Sequence, residues 1–407
     1  MSNVAVVNKT EECATPALPE TARLVSLGPE VNGQDAWLAW LKHRMGLAGT
    51  PPRNPALASA PSQTYNASVR TGKSMSITDL LPQDCISAGD LDWWRDKRED
   101  IKRRFRENIG TPPFARNTRS IETIDSVESQ WYTRSKIRYL VGDCEEILAH
   151  LFVPAGMRDK TPAILALHQM NGLFGKDEAG GLRGCPDFAY GEELARRGYV
   201  VLIPDFLTMG ERIFPGKKSV DSLPFYEEYP DWSMVGKDIE DSMAAIDVLL
   251  TFEFVNPARI GAIGHSHGGF NTMLVLAMDD RVAAGVSNCG MSVISVEEKC
   301  LEWSSEDEYI YFPKLRKYLL EKKPLPFDLN EVAALIAPKP WCNISAYYDR
   351  TMGNQEFLAG VGVQLNQVYK LHGKQNHFCF LMHGNDHSFP EYARSLAYEW
   401  LDRFLKA

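Results

Sequence analysis

The sequence contains a serine in a setting typical of catalytic nucleophiles, within the run Gly264-His-Ser-His-Gly-Gly269. The run has the pattern G-x-S-x-G, follows the apolar stretch 259–263 and precedes the helical stretch 270–278. In a strand–turn–helix of this kind the serine has strained backbone angles and its hydroxyl projects clear of the sheet, while the glycines let strand and helix approach closely. Ser266 is therefore a candidate nucleophile.

A serine hydroxyl is a weak nucleophile and needs two further groups. A histidine must take its proton, and a carboxylate must fix the histidine tautomer and stabilise the imidazolium. Downstream of Ser266, the predicted strand 341–347 leads directly into Asp349, and the last predicted strand leads into a loop that contains His387. Both residues thus follow strand ends, where open α/β sheets place their sites. Because the chain order Ser, Asp, His is the order this kind of turn requires, we predict a triad of Ser266, Asp349 and His387.

The same loops offer alternatives for the acid and the base. Asp386 is adjacent to His387, but neighbouring loop residues rarely point at one another, which favours Asp349 as the acid. His383 lies nearer the end of the predicted strand. The run Gly384-x-Asp-His-x-Phe-Pro390 is the pattern expected of a histidine loop, and it favours His387 as the base.

The two histidines beside the serine receive a different assignment. Side chains adjacent to Ser266 diverge from it, so His265 and His267 are interpreted as turn and wall residues. The backbone N–H of the residue after the nucleophile, here His267, forms half of an oxyanion hole. The loop after the third strand of such sheets supplies the other half, here through the N–H of Gln169 or of Met170. Each donor of this kind is worth about 3–4 kcal/mol in the transition state.

Composition and charge exclude several classes of partner. A net charge of −9 over 407 residues disfavours nucleic acid and anionic membranes as partners. No stretch approaches the roughly 18 apolar residues of a membrane span. The N-terminus lacks the basic and apolar regions of a secretory signal, and the eight cysteines include no C-x-x-C pair. These features predict a reduced, cytoplasmic protein.

An alternation of strands and helices from residue 163 onward predicts a parallel sheet covered on both faces. Upstream, 129–139 and 146–154 predict an antiparallel hairpin, and 90–108 predicts a helix that ends at a Gly-then-Pro stop. The expected strands of the alternating part are 163–168, 199–204, 259–264, 283–287, 341–347 and 377–382, with helices at 188–197, 237–251, 270–278 and 392–405.

The chain divides into three predicted parts. Residues 1–75, rich in Ala, Pro, Ser, Thr and Asn, form an extended arm with one amphipathic helix at 35–45, and this arm is a candidate homodimer contact. Residues 76–128 form a helical segment, and residues 129–407 form the catalytic domain. Within that domain, 291–335 is far longer than a usual connection and mixes aromatic with acidic residues. It is either a lid over a pocket or a plain surface helix pair.

From about residue 131 to its end, the chain resembles the α/β-hydrolases of the dienelactone-hydrolase and acetylxylan-esterase-like branch. The resemblance implies an α/β-hydrolase fold with a mostly parallel, doubly wound sheet, and it maps Ser266, Asp349 and His387 onto nucleophile, acid and base. Dienelactone hydrolases themselves use a cysteine nucleophile, so a lactone substrate is not implied. The segments that carry the resemblance are 164–169, 193–199, 204–205, 256–261, 264–269, 336–340 and 384–390.

These observations predict a serine hydrolase that cleaves a carboxylic ester, or less readily an amide, of a small or medium organic molecule. No metal ion and no organic cofactor is expected. Hydrolysis of a C–C bond and acyl transfer use the same triad, and a catalytically silent ligand-binding protein is the alternative outside enzymes. Four aromatic residues are candidates for an apolar pocket, with ordinary core packing as the alternative for each: Phe206, Trp232, Trp303 and Tyr309.

Overall fold

The computed structural model describes residues 80–81, 90–142, 145–157, 159–297, 299–353 and 355–406. The predicted arm at 1–75, with its helix at 35–45, lies outside these residues, so the arm and its dimer contact stay predictions. Within the described ranges, no helix is long and apolar enough to cross a membrane.

Nine strands form one sheet at the centre of the protein. They are β1 (Arg119–Glu128), β2 (Tyr132–Val141), β3 (Glu145–Pro154), β4 (Thr161–Leu167), β5 (Val200–Pro204), β6 (Val255–His265), β7 (Val282–Asn288), β8 (Trp341–Ala346) and β9 (Phe378–His383). Their order in the sheet is β1-β2-β3-β5-β4-β6-β7-β8-β9. Strands β1, β2 and β3 pair antiparallel with one another and with β5, and the other pairs are parallel.

Helices cover both faces of this sheet, which is why β5 and β8 consist entirely of buried residues. The helices are α1 (Leu91–Ile109), α2 (Lys176–Ala179), α3 (Tyr190–Arg196), α4 (Leu223–Glu228), α5 (Met234–Thr251), α6 (His267–Met278), α7 (Arg316–Leu320), α8 (Leu329–Ala334), α9 (Gln355–Leu371) and α10 (Glu391–Leu405). Helices α3 and α10 pack on one face, and α1, α5, α6, α8 and α9 contribute to the core on the other.

The strand order identifies the place where a site can form. From β4 the chain crosses to β5 on one side, and it later returns to β6 on the other side of β4. Open α/β sheets bind ligands outside the carboxyl ends of the strands at such a reversal. Strand β4 ends at Leu167 and β6 ends at His265, so the loop after the first strand and the Ser266 turn after the second meet there.

The predicted α/β-hydrolase architecture is confirmed, with the six strands and four helices found within a few residues of their predicted bounds. One assignment was wrong: the segment 76–128, predicted to be helical, contains α1 but ends in strand β1. Nearly all described side chains of β1 are exposed, so its sequence carries no apolar stripe, and the strand exists through its pairing with β2. The long connection 291–335 folds into 3₁₀ turns and the short helices α7 and α8.

The Ser266 turn requires glycine at position 268, where helix α6 passes over the end of β4. A Cβ atom on Gly268 would lie 1.9 Å from the carbonyl oxygen of Leu167. We therefore expect Gly268→Ala to lower the free energy of unfolding by about 3 kcal/mol or more, since backbone must shift to relieve the clash. Urea denaturation measures this value.

Gly360 provides a matched control for that substitution. It lies on the exposed side of α9, and an added Cβ meets nothing within 4 Å. Gly360→Ala should stabilise the protein by about 1 kcal/mol, because alanine favours a helix interior over glycine. Equal stabilities of the Gly268→Ala variant and the wild type would contradict the close-packed turn.

Candidate active site

Ser266 occupies a strained turn between β6 and α6. Its backbone angles are φ 53° and ψ −121°, a left-handed conformation that costs a non-glycine residue about 1–3 kcal/mol. The Ser266 N–H donates to the Asn288 carbonyl at 2.8 Å, and its own carbonyl accepts the Phe270 N–H at 2.8 Å. These bonds hold the turn in place, and Ser266 lines a cavity of about 440 Å³.

His387 and Asp349 form a hydrogen-bonded pair at the same end of the sheet. The His387 Nδ1–H donates to Asp349 Oδ2 at 2.7 Å. The other carboxylate oxygen, Oδ1, accepts the backbone N–H groups of Thr351 at 2.9 Å and of Met352 at 2.8 Å. Because Nδ1 carries the proton, Nε2 of His387 has a free lone pair. His387 lines the same cavity as Ser266, so the structure brings the three predicted residues together.

The rival acid and base lie outside this arrangement. Asp386 is exposed and does not line the cavity. His383 is buried, its Nδ1 accepts the backbone N–H of Asn385 at 3.3 Å, and burial lowers its pKa to about 4. The pairing of His387 therefore favours Asp349 over its neighbour, as the sequence predicts.

His265 forms part of the cavity wall. Its ring stacks on Phe188 with centroids 4.5 Å apart and lies 4.7 Å from the ring of His387. The Asn288 side chain donates to its Nδ1 at 2.7 Å and fixes the ring. Burial and the neighbouring His387 lower the pKa of His265 well below its ordinary value, so it stays uncharged beside a histidine that must accept a proton.

His267 also lines the cavity and has a buried acidic partner that sequence reasoning missed. Its Nε2 lies 3.2 Å from Asp238 Oδ2, and the hydroxyl of Tyr309 donates to the same oxygen. Asp238 belongs to α5 and is fully buried. An aspartate in a predicted amphipathic helix usually faces water, so its sequence position carried no signal of this contact.

The three residues predicted to supply the oxyanion hole line the same cavity as Ser266. The N–H of His267 is the first of helix α6, and the first N–H groups of a helix have no intrahelical acceptor. Gln169 and Met170 both line the cavity. The Gln169 side-chain amide donates to Glu178 Oε2 at 2.7 Å, and the backbone carbonyl oxygen of Gln169 lies 2.7 Å from His168 Nδ1. These contacts fix the loop after β4. Both N–H groups of that loop stay candidates for the second donor.

Of the four aromatic residues predicted for a substrate pocket, Trp303 lines the cavity and the other three do not. Phe206 packs behind the wall against the His267 ring, and the Tyr309 hydroxyl donates a hydrogen bond to the Asp238 carboxylate. Trp232 packs against Phe225 in the core and does not line the cavity. All three are nearly inaccessible to solvent, because large aromatic side chains gain most from full burial.

Several wall residues were not among the predicted site residues. The connection 291–335 contributes three of them, Glu297, Glu302 and Tyr311, in addition to Trp303. This supports its interpretation as a cover for the cavity, while its motion as a lid stays a prediction. The described cavity lining consists of Gln169, Met170, Phe188, His265, Ser266, His267, Phe270, Glu297, Glu302, Trp303, Tyr311, Thr351, Met352 and His387.

One group of side chains near the site has donor types that metals use. Atoms of Cys289, Asp349 and His387 lie within 4.8 Å of one another. However, Asp349 and His387 already bond each other, and burial together with the Asp349 charge raises the pKa of the Cys289 thiol well above its ordinary value. A thiol binds metal as a thiolate, so this group is a poor fit for an ion.

Three buried histidines predict that acid destabilises the fold. Burial lowers the pKa of His168 and of His383 to about 4, and it also lowers the pKa of His265 well below its ordinary value. An unfolded histidine titrates near about pH 6.5, so below that pH the unfolded chain binds protons that the folded chain excludes. We expect the free energy of unfolding to fall between about pH 6.5 and 4, by up to about 1.4 kcal/mol per pH unit for each histidine.

Urea denaturation at pH 7.5, 6 and 5 measures that slope, and His383→Gln should reduce it. A free energy of unfolding that stays constant from pH 7.5 to 5 would show that these histidines are not held neutral by the fold.

Known proteins resemble this chain in sequence. The model of the prolyl oligopeptidase family matches residues 192–314, which include the Ser266 turn. The putative hydrolase YtaP of Bacillus subtilis (strain 168) is 25% identical over 291 residues, which make up 70% of this chain and 93% of that protein. The similarity to YtaP thus extends over most of the described fold.

Solved structures resemble it in fold. A glucuronoyl esterase from Solibacter usitatus has a TM-score of 0.60 at 19% identity and covers 78% of this chain and 94% of its own. A promiscuous CE15 esterase from a marine bacterial metagenome has a TM-score of 0.61 at 16% identity and covers 77% and 93% of the two chains. At these identities the likeness shows the fold. Together with the family match and the hydrolase relative, it supports an α/β-hydrolase of the serine hydrolase type.

Proposed function

We propose that the protein is a serine esterase that cleaves a carboxylic ester of a small or medium organic molecule through an acyl-enzyme. The observation that carries this proposal is the His387–Asp349 hydrogen bond of 2.7 Å beside the strained Ser266. Nucleophile and base line one cavity of about 440 Å³, large enough for an ester of this size class.

The proposed reaction has two halves. Ser266 Oγ attacks the ester carbonyl carbon while His387 Nε2 takes the hydroxyl proton, and Asp349 stabilises the resulting imidazolium. The N–H of His267 and one N–H of the loop after β4 bind the oxyanion. Collapse of the tetrahedral intermediate breaks the C–O bond, and His387 gives its proton to the leaving alcohol. Water, deprotonated by His387, then cleaves the acyl-Ser266 bond.

The relatives support two bond types. Two solved structures of the same fold are named as esterases, which supports the ester as substrate class. The prolyl oligopeptidase family match, which includes the Ser266 turn, favours amide hydrolysis as a second candidate. An ester has a better leaving group than an amide. Ester cleavage therefore needs less transition-state stabilisation from the same catalytic groups.

A fluorophosphonate probe followed by a panel of substrates tests the proposal. Mass spectrometry should find the probe on Ser266 in the wild type and nowhere in Ser266→Ala. Matched p-nitrophenyl esters and p-nitroanilides of the same acyl groups should then separate esterase from amidase activity. An unlabelled wild-type protein would overturn the serine mechanism, and faster turnover of the anilides would favour the amidase.

A further inference from the structure

One side of the cavity is built from electron-rich rings. Phe270, Trp303 and Tyr311 line it together, with ring centroids 5.0 Å apart for Trp303 and Tyr311, 5.4 Å for Phe270 and Trp303, and 5.7 Å for Phe270 and Tyr311. Phe188 adds a fourth ring to the lining. The faces of such rings are electrostatically negative and attract cations, with tryptophan the strongest.

Glu297 places a carboxylate in the same wall. The residue is 8% exposed. Its Oε2 accepts the Ser292 hydroxyl at 3.0 Å and the indole N–H of Trp303, and its Oε1 accepts the Gly353 N–H at 3.2 Å. An ionised carboxylate accepts hydrogen bonds only, and these partners suit that state. The three partners are themselves neutral, so these bonds orient the carboxylate without bringing a positive charge to it.

The rest of the described lining does not supply a fixed positive charge. It contains no lysine or arginine among its described residues. Glu302 adds a second carboxylate, which is largely exposed and lies 3.4 Å from Lys299, so its effect is screened. The buried charge in the wall is therefore that of Glu297, and a buried carboxylate is stabilised when a cation lies against it.

Resting on the proposed esterase activity, we propose that the substrate carries a cationic group, such as a quaternary ammonium, and that Glu297 and Trp303 select it. The cation would lie against the Trp303 and Tyr311 rings, with Glu297 behind them. The hydrogen bond from the Trp303 indole to Glu297 fixes the orientation of the two groups relative to each other. Aromatic rings form the usual environment of a bound quaternary ammonium.

A pair of esters that differ only in charge tests the proposal. Acetylcholine and its carbon isostere 3,3-dimethylbutyl acetate have the same acyl group and nearly the same shape. Wild-type protein should show a kcat/KM for acetylcholine at least about tenfold higher than for the isostere, the effect of one desolvated cation–π contact. The ratio is measured within one protein sample, so it does not depend on the fraction of folded enzyme.

Two variants with the same change in charge show which carboxylate is responsible. Glu297→Gln should lower the ratio of kcat/KM for acetylcholine to kcat/KM for the isostere by about fivefold or more, so that the ratio approaches one. Glu306→Gln should leave it unchanged, because Glu306 is exposed, pairs with Arg316 and lies outside the cavity lining. Trp303→Leu should lower the ratio as Glu297→Gln does, since it removes the ring over which the cation is placed.

A competition experiment gives the same comparison without turnover. Choline should protect Ser266 from fluorophosphonate labelling at a concentration about tenfold lower than 3,3-dimethylbutanol. The cation preference would be overturned if the wild-type protein had equal kcat/KM values for acetylcholine and its isostere, and if choline and 3,3-dimethylbutanol protected Ser266 at equal concentrations. In that case continued turnover of neutral esters that depends on Ser266 would leave the proposed function intact. A wild-type protein that is not labelled at Ser266 even without a competitor would instead refute the proposed function itself.

Discussion

Replacing Ser266 by alanine is expected to lower kcat for ester hydrolysis by about 10⁶-fold, the effect of losing the nucleophile in a serine triad. His387→Gln should cost a similar factor, because a hydroxyl without its base does not react. The kcat of the double variant should be no lower than that of either single variant, since the two groups act as a unit. Initial rates with a p-nitrophenyl ester, at enzyme concentrations corrected for folded protein, measure all three.

Ser388 is the matched control for this series. It is the residue after His387, its hydroxyl donates to the backbone carbonyl of Asp386 at 3.3 Å, and it does not line the cavity. Ser388→Ala should therefore retain wild-type kcat within about twofold, as expected of a substitution away from the reacting groups. If Ser266→Ala and the wild type turned over esters equally, the proposed mechanism would be wrong.

Asp349→Asn is expected to lower kcat by about 10⁴-fold, with the fold unchanged. The oxygen Oδ1 of Asp349 accepts two backbone N–H groups, so an asparagine would keep its carbonyl oxygen there and turn its amide toward His387. The amide donates where the carboxylate accepted, which forces Nδ1 of His387 to become the acceptor. Nε2 then carries the proton and cannot take one from Ser266.

Asp386 provides the comparison for the acid. It is adjacent to His387 in sequence but exposed, and its carboxylate does not line the cavity. Asp386→Asn should change kcat by less than about threefold, as screened surface charges do. A large loss in Asp386→Asn together with a small one in Asp349→Asn would reverse the assignment of the acid.

Much of the fold could be read from local patterns. Alternating apolar strands and amphipathic helices predicted the doubly wound sheet, since burial on both faces leaves uninterrupted apolar strands. Strand β1 was the exception, because its exposed side chains have no periodic pattern and only its pairing with β2 defines it.

The predicted triad followed from chain order together with the local patterns around Ser266 and His387. Ser266, Asp349 and His387 each follow a strand, and parallel strands bring their carboxyl ends to one edge of the sheet. A regular topology thus converts sequence positions into spatial neighbours, without any knowledge of the side chains between them. The 2.7 Å contact between His387 and Asp349 is what this rule predicts for the last two members.

By itself, the sequence determined the sheet, the Ser266 turn and the three candidate residues, because these depend on backbone periodicity and on the order of the strands. The tertiary structure decided which aromatic residues line the cavity. Tyr309 donates a hydrogen bond to Asp238 and does not line the cavity, while Trp303 lines it and donates to Glu297. It also decided the partner of His267 and the environment of the Glu297 charge. These features depend on contacts between residues far apart in the chain, and both core and wall positions favour the same large, apolar side chains.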